Sequence, residues 1–220
     1  MTANSRAIAA LNLAVYYLDR GFEPAAKAKA FAKAADAVSV LDDDELLRRA
    51  DHDTLTDLDG VGPSTASVIA DAVLERTPTY LNKLEARTRL DVGAGAQLIE
   101  ACRSDLHSHS TWSDGGASIR TMALTAKALG RTHLALTDHS PRLTIAHGLT
   151  PERLADQLKE VAALNEELAP FRILTGCEVD ILADGSLDLP DEILAGLDVV
   201  VASAHSKLSM DKRPMTERLV

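Results

Sequence analysis

Two histidines spaced two apart, His107 and His109, lie in the run RSDLHSHSTWSDG (residues 103–115), and an acid, Asp114, follows in the same run. Neutral imidazoles suit borderline divalent cations such as Zn2+, Mn2+ or Fe2+, and a carboxylate adds a hard anionic oxygen. On a strand, residues i and i+2 project from one face, so both rings would enter one cleft. An isolated H-x-H is a weak signal, more often a surface or hydrogen-bonded pair. Here the pattern recurs: LTDH carries His139, TGCEVD carries Glu178 and SAHS carries His205. Four successive strand ends delivering metal-type side chains predict one metal cluster. Glu178 and Asp138 are the candidate catalytic carboxylates, with Asp138 expected to orient His139 from behind.

The elements that must position these residues are four short apolar runs, residues 104–109, 132–139, 172–180 and 197–205. Helical patterns separate them: 119–129 closed by Gly130, 151–168 opened by Thr150 with Pro151 in the first turn, and a shorter one over 190–195. Strands alternating with helices imply a parallel sheet or barrel. Residues 1–86 read instead as an all-helical domain. A helix starts at a cap on Asn4 and buries Ile8, Leu11, Leu13, Val15 and Leu18; residues 21–24 break it. An Ala-rich helix with Lys27, Lys29 and Lys33 ends near Leu41, and Asp42 to Asp44 start another. Residues 87–102 read as a linker with a short helix, leaving 103–220 as the second domain.

Residues 58–69, LDGVGPSTASVI, match the helix-hairpin-helix pattern. Glycines there let backbone N–H groups approach a phosphate closely at a helix N-terminus, so Gly60, Val61, Gly62 and Ser64 are candidate DNA contacts. The competing reading is a helix–helix turn used only for packing. Residues 5–84 resemble the N-terminal domain of family-X DNA polymerases. In the lyases of that family a Schiff-base lysine stands where this chain has Val68, so abasic-site lyase chemistry is not expected. The interval from residue 84 to 104 is too short for the nucleotidyltransferase palm, and no paired metal-binding aspartates of that type occur, which excludes polymerase activity.

Residues 103–220 resemble the PHP (polymerase and histidinol phosphatase) family in DLHSHSTWSDG, LALTDHS, GCEVDI and VVASAHSKL. The resemblance implies a mixed α/β chain: the helical domain followed by part of a distorted (β/α)7 barrel. His107, His109, Asp114, His139, Glu178 and His205 match six of the family's nine usual metal ligands. The other three, a His and an Asp-x-His pair, fall on later strands that these 220 residues do not contain. With about four of seven β/α units present, the chain is expected to be truncated within this domain and its sheet to expose an edge. A complete site of the family holds two or three divalent cations bridged by Glu178 and hydrolyses a phosphate ester by in-line attack.

A formal net charge of −10 disfavours a protein that works through a broad basic face, and residues 1–90 hold eleven Lys and Arg against fourteen Asp and Glu. Any DNA contact must therefore be local. Cys102 and Cys177 are far apart, suggesting neither a disulfide framework nor a zinc knuckle and fitting a reducing cytoplasm. No apolar run is long enough to span a bilayer. Lys207 and Arg213 are candidate substrate-phosphate contacts. His147 lies on a loop near the expected mouth, Trp112 packs that mouth or stacks on a base, and His52 and His133 read as structural. Three functions compete: hydrolysis at DNA ends as a 3′-5′ exonuclease or 3′ phosphatase, a small-molecule phosphatase of histidinol-phosphatase type, or a catalytically incomplete DNA-binding fragment. Oligomeric state is not legible in the sequence.

Overall fold

The computed structural model describes residues 2–220, and the chain divides after Ala96 into two compact units. The first is helical: α1 (Ala3–Arg20), α2 (Ala25–Ser39), α3 (Asp43–Asp51), α4 (Pro63–Val73) and α5 (Thr79–Thr88). Its core gathers Leu11, Leu18, Phe31, Val38, Leu46, Val68, Ile69 and Leu84, so every helix gives its apolar stripe to one interior. α1 begins one residue before Asn4. Thr2, not Asn4, is its cap, accepting from the Ser5 amide. Asn4 points the other way: its amide nitrogen donates to the carbonyls of Val38 (2.7 Å) and Leu41 (3.0 Å), and its backbone N–H to Asp43 (2.8 Å). It thereby closes the corner between α2 and α3, a long-range task that the local pattern does not reveal.

Between the helical core and the sheet come a 3-10 turn at Gly93–Gly95 and the short α6 (Ala96–Ala101). The second unit carries β1 (Ser104–Asp105), α7 (Ile119–Ala128), β2 (His133–Leu136), α8 (Pro151–Leu168), β3 (Arg172–Asp180), α9 (Asp191–Leu194), β4 (Val199–Ser203) and α10 (Lys212–Leu219). Its four strands pair in parallel in the order β1-β2-β3-β4, a curled half-barrel in which β1 and β4 each have one neighbour. Leu134 and Leu136 of β2 and Ile173 of β3 face α7 and α8, packing on Ile119, Val161, Leu164 and Leu168. Alternation then turns His139, Glu178 and Asp180 to the opposite, concave face.

β1 is shorter than residues 104–109 lead one to expect. Past Asp105 the chain stays alongside β2, but its pairing runs partly through side chains. Ser108 N–H donates to Thr137 Oγ1 (3.1 Å), Ser108 Oγ to Ala135 O (2.7 Å), and Thr137 N–H to Ser108 O (2.8 Å). His107 and His109 therefore stand on an extended loop, flanking the residue that anchors it. Among the described residues no helix is long and apolar enough to cross a membrane.

Candidate metal centre

Register brings the strand ends together. His139 pairs across from Glu178, Glu178 from Val201 and Asp180 from Ser203, so His205 lies just past β4 on the same side. Glu178, only 6% exposed, is the hub. Its Oε2 lies 3.0 Å from His107 Nε2, 3.1 Å from His109 Nε2 and 3.4 Å from His139 Nδ1, and its Oε1 lies 3.2 Å from His205 Nε2. Asp114 closes the opposite side, 3.0 Å from His109 Nδ1 and 3.6 Å from His139 Nε2. The His109 and His139 rings meet edge to face at 4.3 Å, as do those of His139 and His205 at 5.2 Å.

Hydrogen bonds alone do not satisfy this cluster. His107 Nε2 and His109 Nε2 face each other at 3.1 Å while both face one carboxylate oxygen, and the buried Nδ1 atoms of His139 and His205 have no hydrogen-bond partner. Divalent cations would resolve that excess of lone pairs. Three overlapping sets have donor atoms within 4.8 Å of one another: His107, His109 and Glu178; His109, Asp114 and His139; and His139, Glu178 and His205. Imidazole mixed with carboxylate is the donor set of borderline divalent metals, so these residues fit such an ion.

Protonation states favour ligation. Burial, reinforced by the neighbouring His109, holds the His139 imidazole below its ordinary value of 6.5 and keeps it neutral. Burial pushes Glu178 and Asp114 up, but it is outweighed. The hydrogen bond from His107 and the fields of three histidines bring Glu178 below its usual 4.5. The hydrogen bond from His109, with the His139 and His109 fields, brings Asp114 below 3.8. In the metal-free protein all three shifts have one sign, because the unfolded chain binds each proton more tightly. The His139 contribution is complete above pH 6.5 and is lost as pH falls through the lowered folded value; those of the two acids are lost at still lower pH. Denaturant titrations of chelator-treated protein are expected to show stability falling steadily below neutrality. Greater stability at pH 5 than at pH 7 would contradict this.

Asp138 does not orient His139 through its carboxylate. One position away on the alternating backbone, its side chain turns to the other side, is 1% exposed, and accepts from Ser110 N–H (2.8 Å), Ser110 Oγ (2.7 Å), Ser113 Oγ (2.5 Å) and Gln157 Nε2 (2.6 Å). Lys207 is exposed with a positive φ of 51°, and Arg213, 90% exposed, pairs with Glu217. Trp112 donates its indole N–H to Glu160 (2.8 Å) and packs against the core, forming a wall of an open cleft of about 550 Å3 that His147 also lines. The rings of His52 and His133 hydrogen-bond locally, to the Arg48 carbonyl and the Thr132 hydroxyl.

Two acids belong to the site that the motifs did not single out. Asp180, 2% exposed, accepts from the His205 backbone N–H (3.0 Å) and lies 3.3 Å from His205 Nδ1. Its place two residues after Glu178, on the same strand face, was the available signal. Asp188 ties Ser140, Arg142 and Asp180 together, fixing the backbone on both sides of the hub.

Comparison with known proteins agrees with this geometry. The PHP domain model matches residues 105–218. The chain belongs to the PHP family. The chain is 51% identical over 125 residues to the DNA polymerase/3'-5' exonuclease PolX of Bacillus subtilis, covering 56% of this chain and 22% of that protein. Proteins named probable phosphatases from Thermoanaerobacter sp. (strain X514) and Acetivibrio thermocellus are each 36% identical, over 104 and 103 residues, covering 46% of this chain and 40% of each relative. The chain thus spans less than half the length of the relatives it matches here.

Proposed function

We propose that the cluster holds divalent cations and that the PHP domain hydrolyses a phosphate ester. What carries the reading is the convergence of four imidazoles on the single buried carboxylate of Glu178, with Asp114 opposite. His107, His109, Asp114, His139, Glu178 and His205 are the ligands, and the donor set points to Zn2+, Mn2+ or Fe2+. Bound cations supply Lewis-acid stabilisation of the charge developing on phosphoryl oxygens and acidify water. The chain's own residues do the positioning. Glu178 stays ionised at the centre, His139 stays neutral, Asp180 holds the backbone of His205, and Asp114 closes the side away from the sheet. Phosphomonoester hydrolysis is expected to need added Mn2+ or Zn2+ and to vanish with chelator. Hydrolysis that persisted at full rate in chelator would sink the reading.

The substrate class that fits this chain is a DNA end, presented by the helical unit as a helix-hairpin-helix. One observation favours that over a mere packing turn. Gly60 is needed by the fold, because its φ is 84° and a Cβ there would meet the Lys33 side chain at 2.9 Å. Gly62 is not: its φ of −101° suits any residue, and a Cβ would meet nothing within 4 Å. A glycine facing open space at a helix N-terminus suits close approach by an external group such as a phosphate. Gly62→Ala is therefore expected to change stability by no more than about 1 kcal/mol while weakening duplex binding and flattening its salt dependence. Unchanged duplex affinity would leave the small-molecule phosphatase reading in its place.

A further inference from the structure

We infer that Gln157 is a positioning residue: through Asp138 it fixes the loop bearing His109 and Asp114, and so sets how tightly the centre holds a divalent cation. The inference rests on the metal reading above. Gln157 sits in the buried stripe of α8 between Leu154 and Val161, a position that packing alone would fill with an apolar side chain. It is 1% exposed, and a buried amide is costly unless its hydrogen bonds are made. Its Nε2 donates to Asp138 Oδ2 at 2.6 Å.

Asp138 distributes that anchorage to three ligand-bearing segments. Its carboxylate holds Ser110, which follows His109, and Ser113, which precedes Asp114. Its carbonyl accepts from the Glu178 N–H at 3.1 Å, and His139 is its neighbour in the chain. Of the four groups bonded to the carboxylate, Gln157 alone comes from a helix; the other three belong to the loop being held. Without it the Asp138 carboxylate would be bonded only to the loop that it holds. An amide does this without competing for the cation, whereas a lysine or arginine there would neutralise the carboxylate.

The test is calorimetric titration of the chelator-treated 220-residue protein with Mn2+, comparing wild type and Gln157→Met, with the melting temperature of each metal-free form measured alongside. Met keeps the length and volume and removes the donor. Outer partners of metal ligands typically contribute about 10–100-fold to affinity, and an increase in Kd of about tenfold or more is expected. A role confined to filling the core predicts a lower melting temperature with Kd unchanged within about twofold, which would overturn the inference. If Gln157→Met does not fold, Ser113→Ala, which removes the 2.5 Å bond to Asp138 from the loop side, carries the same expectation and the same refutation. Wild type that binds and variants that bind equally well refute this inference alone. Wild type that binds no Mn2+ or Zn2+ refutes it together with the metal reading.

Discussion

Glu178→Ala is expected to abolish phosphate-ester hydrolysis, by on the order of 10³-fold or more, equivalent to about 4 kcal/mol of transition-state stabilisation. No other side chain touches as many of the candidate ligands. Glu178 faces His107, His109, His139 and His205 at 3.0 to 3.4 Å and belongs to two of the three donor sets. Its removal leaves four imidazoles without their central carboxylate, and only the flanking Asp114 and Asp180 to balance a dication. Glu178→Gln keeps the shape, loses the charge, and is expected to fall nearly as far. Steady-state kinetics with saturating Mn2+, with folding checked by circular dichroism, decides the matter. Retention of activity within about tenfold in both variants would show that the hub is not where the chemistry occurs.

Gly115→Ala is the second large effect, and its cause is steric. A Cβ at Gly115 would lie 2.1 Å from the His109 carbonyl oxygen, 2.4 Å from its carbon and 2.7 Å from the Ser110 nitrogen. These are backbone atoms and cannot rotate away. Gly115 N–H also donates to Ser110 O at 2.9 Å, closing the turn that presents Asp114 to His109. A methyl must open this turn, at a cost of roughly 3 kcal/mol. Calorimetry is expected to show the second unit melting about 10 °C lower, with Mn2+ affinity lost as His109 and Asp114 part. Gly116→Ala is the control, since a Cβ there meets nothing within 4 Å. Similar melting temperatures for the two variants would refute the steric account.

Local patterns carried far into this fold. The span of β3 follows from its apolar run between Phe171 and Ile181, and α8 from Thr150 and Pro151 at its start. The clustering of His107, His109, Asp114, His139, Glu178 and His205 follows from the repeated placement of such residues at strand ends. What stayed hidden depends on partners distant in sequence. Asn4 reads as a cap because its chemistry suits one, yet its partners lie 34 to 39 residues away. Asp138 reads as a partner of His139 because they are adjacent, yet alternation separates their side chains and its carboxylate bonds Ser110, 28 residues back, and Gln157, 19 residues on. Gly115 gave no sign of its close approach to His109, because no spacing rule encodes two backbones touching.

The account turns on whether the cluster around Glu178 is a metal centre. Elemental analysis of the purified 220-residue protein, after exhaustive desalting, tests this most directly. The account predicts at least one and up to three equivalents of zinc, manganese or iron per chain, removed by chelator and restored by adding the ion back. Essentially no bound metal, and none taken up when Mn2+ or Zn2+ is supplied to folded protein, would contradict it.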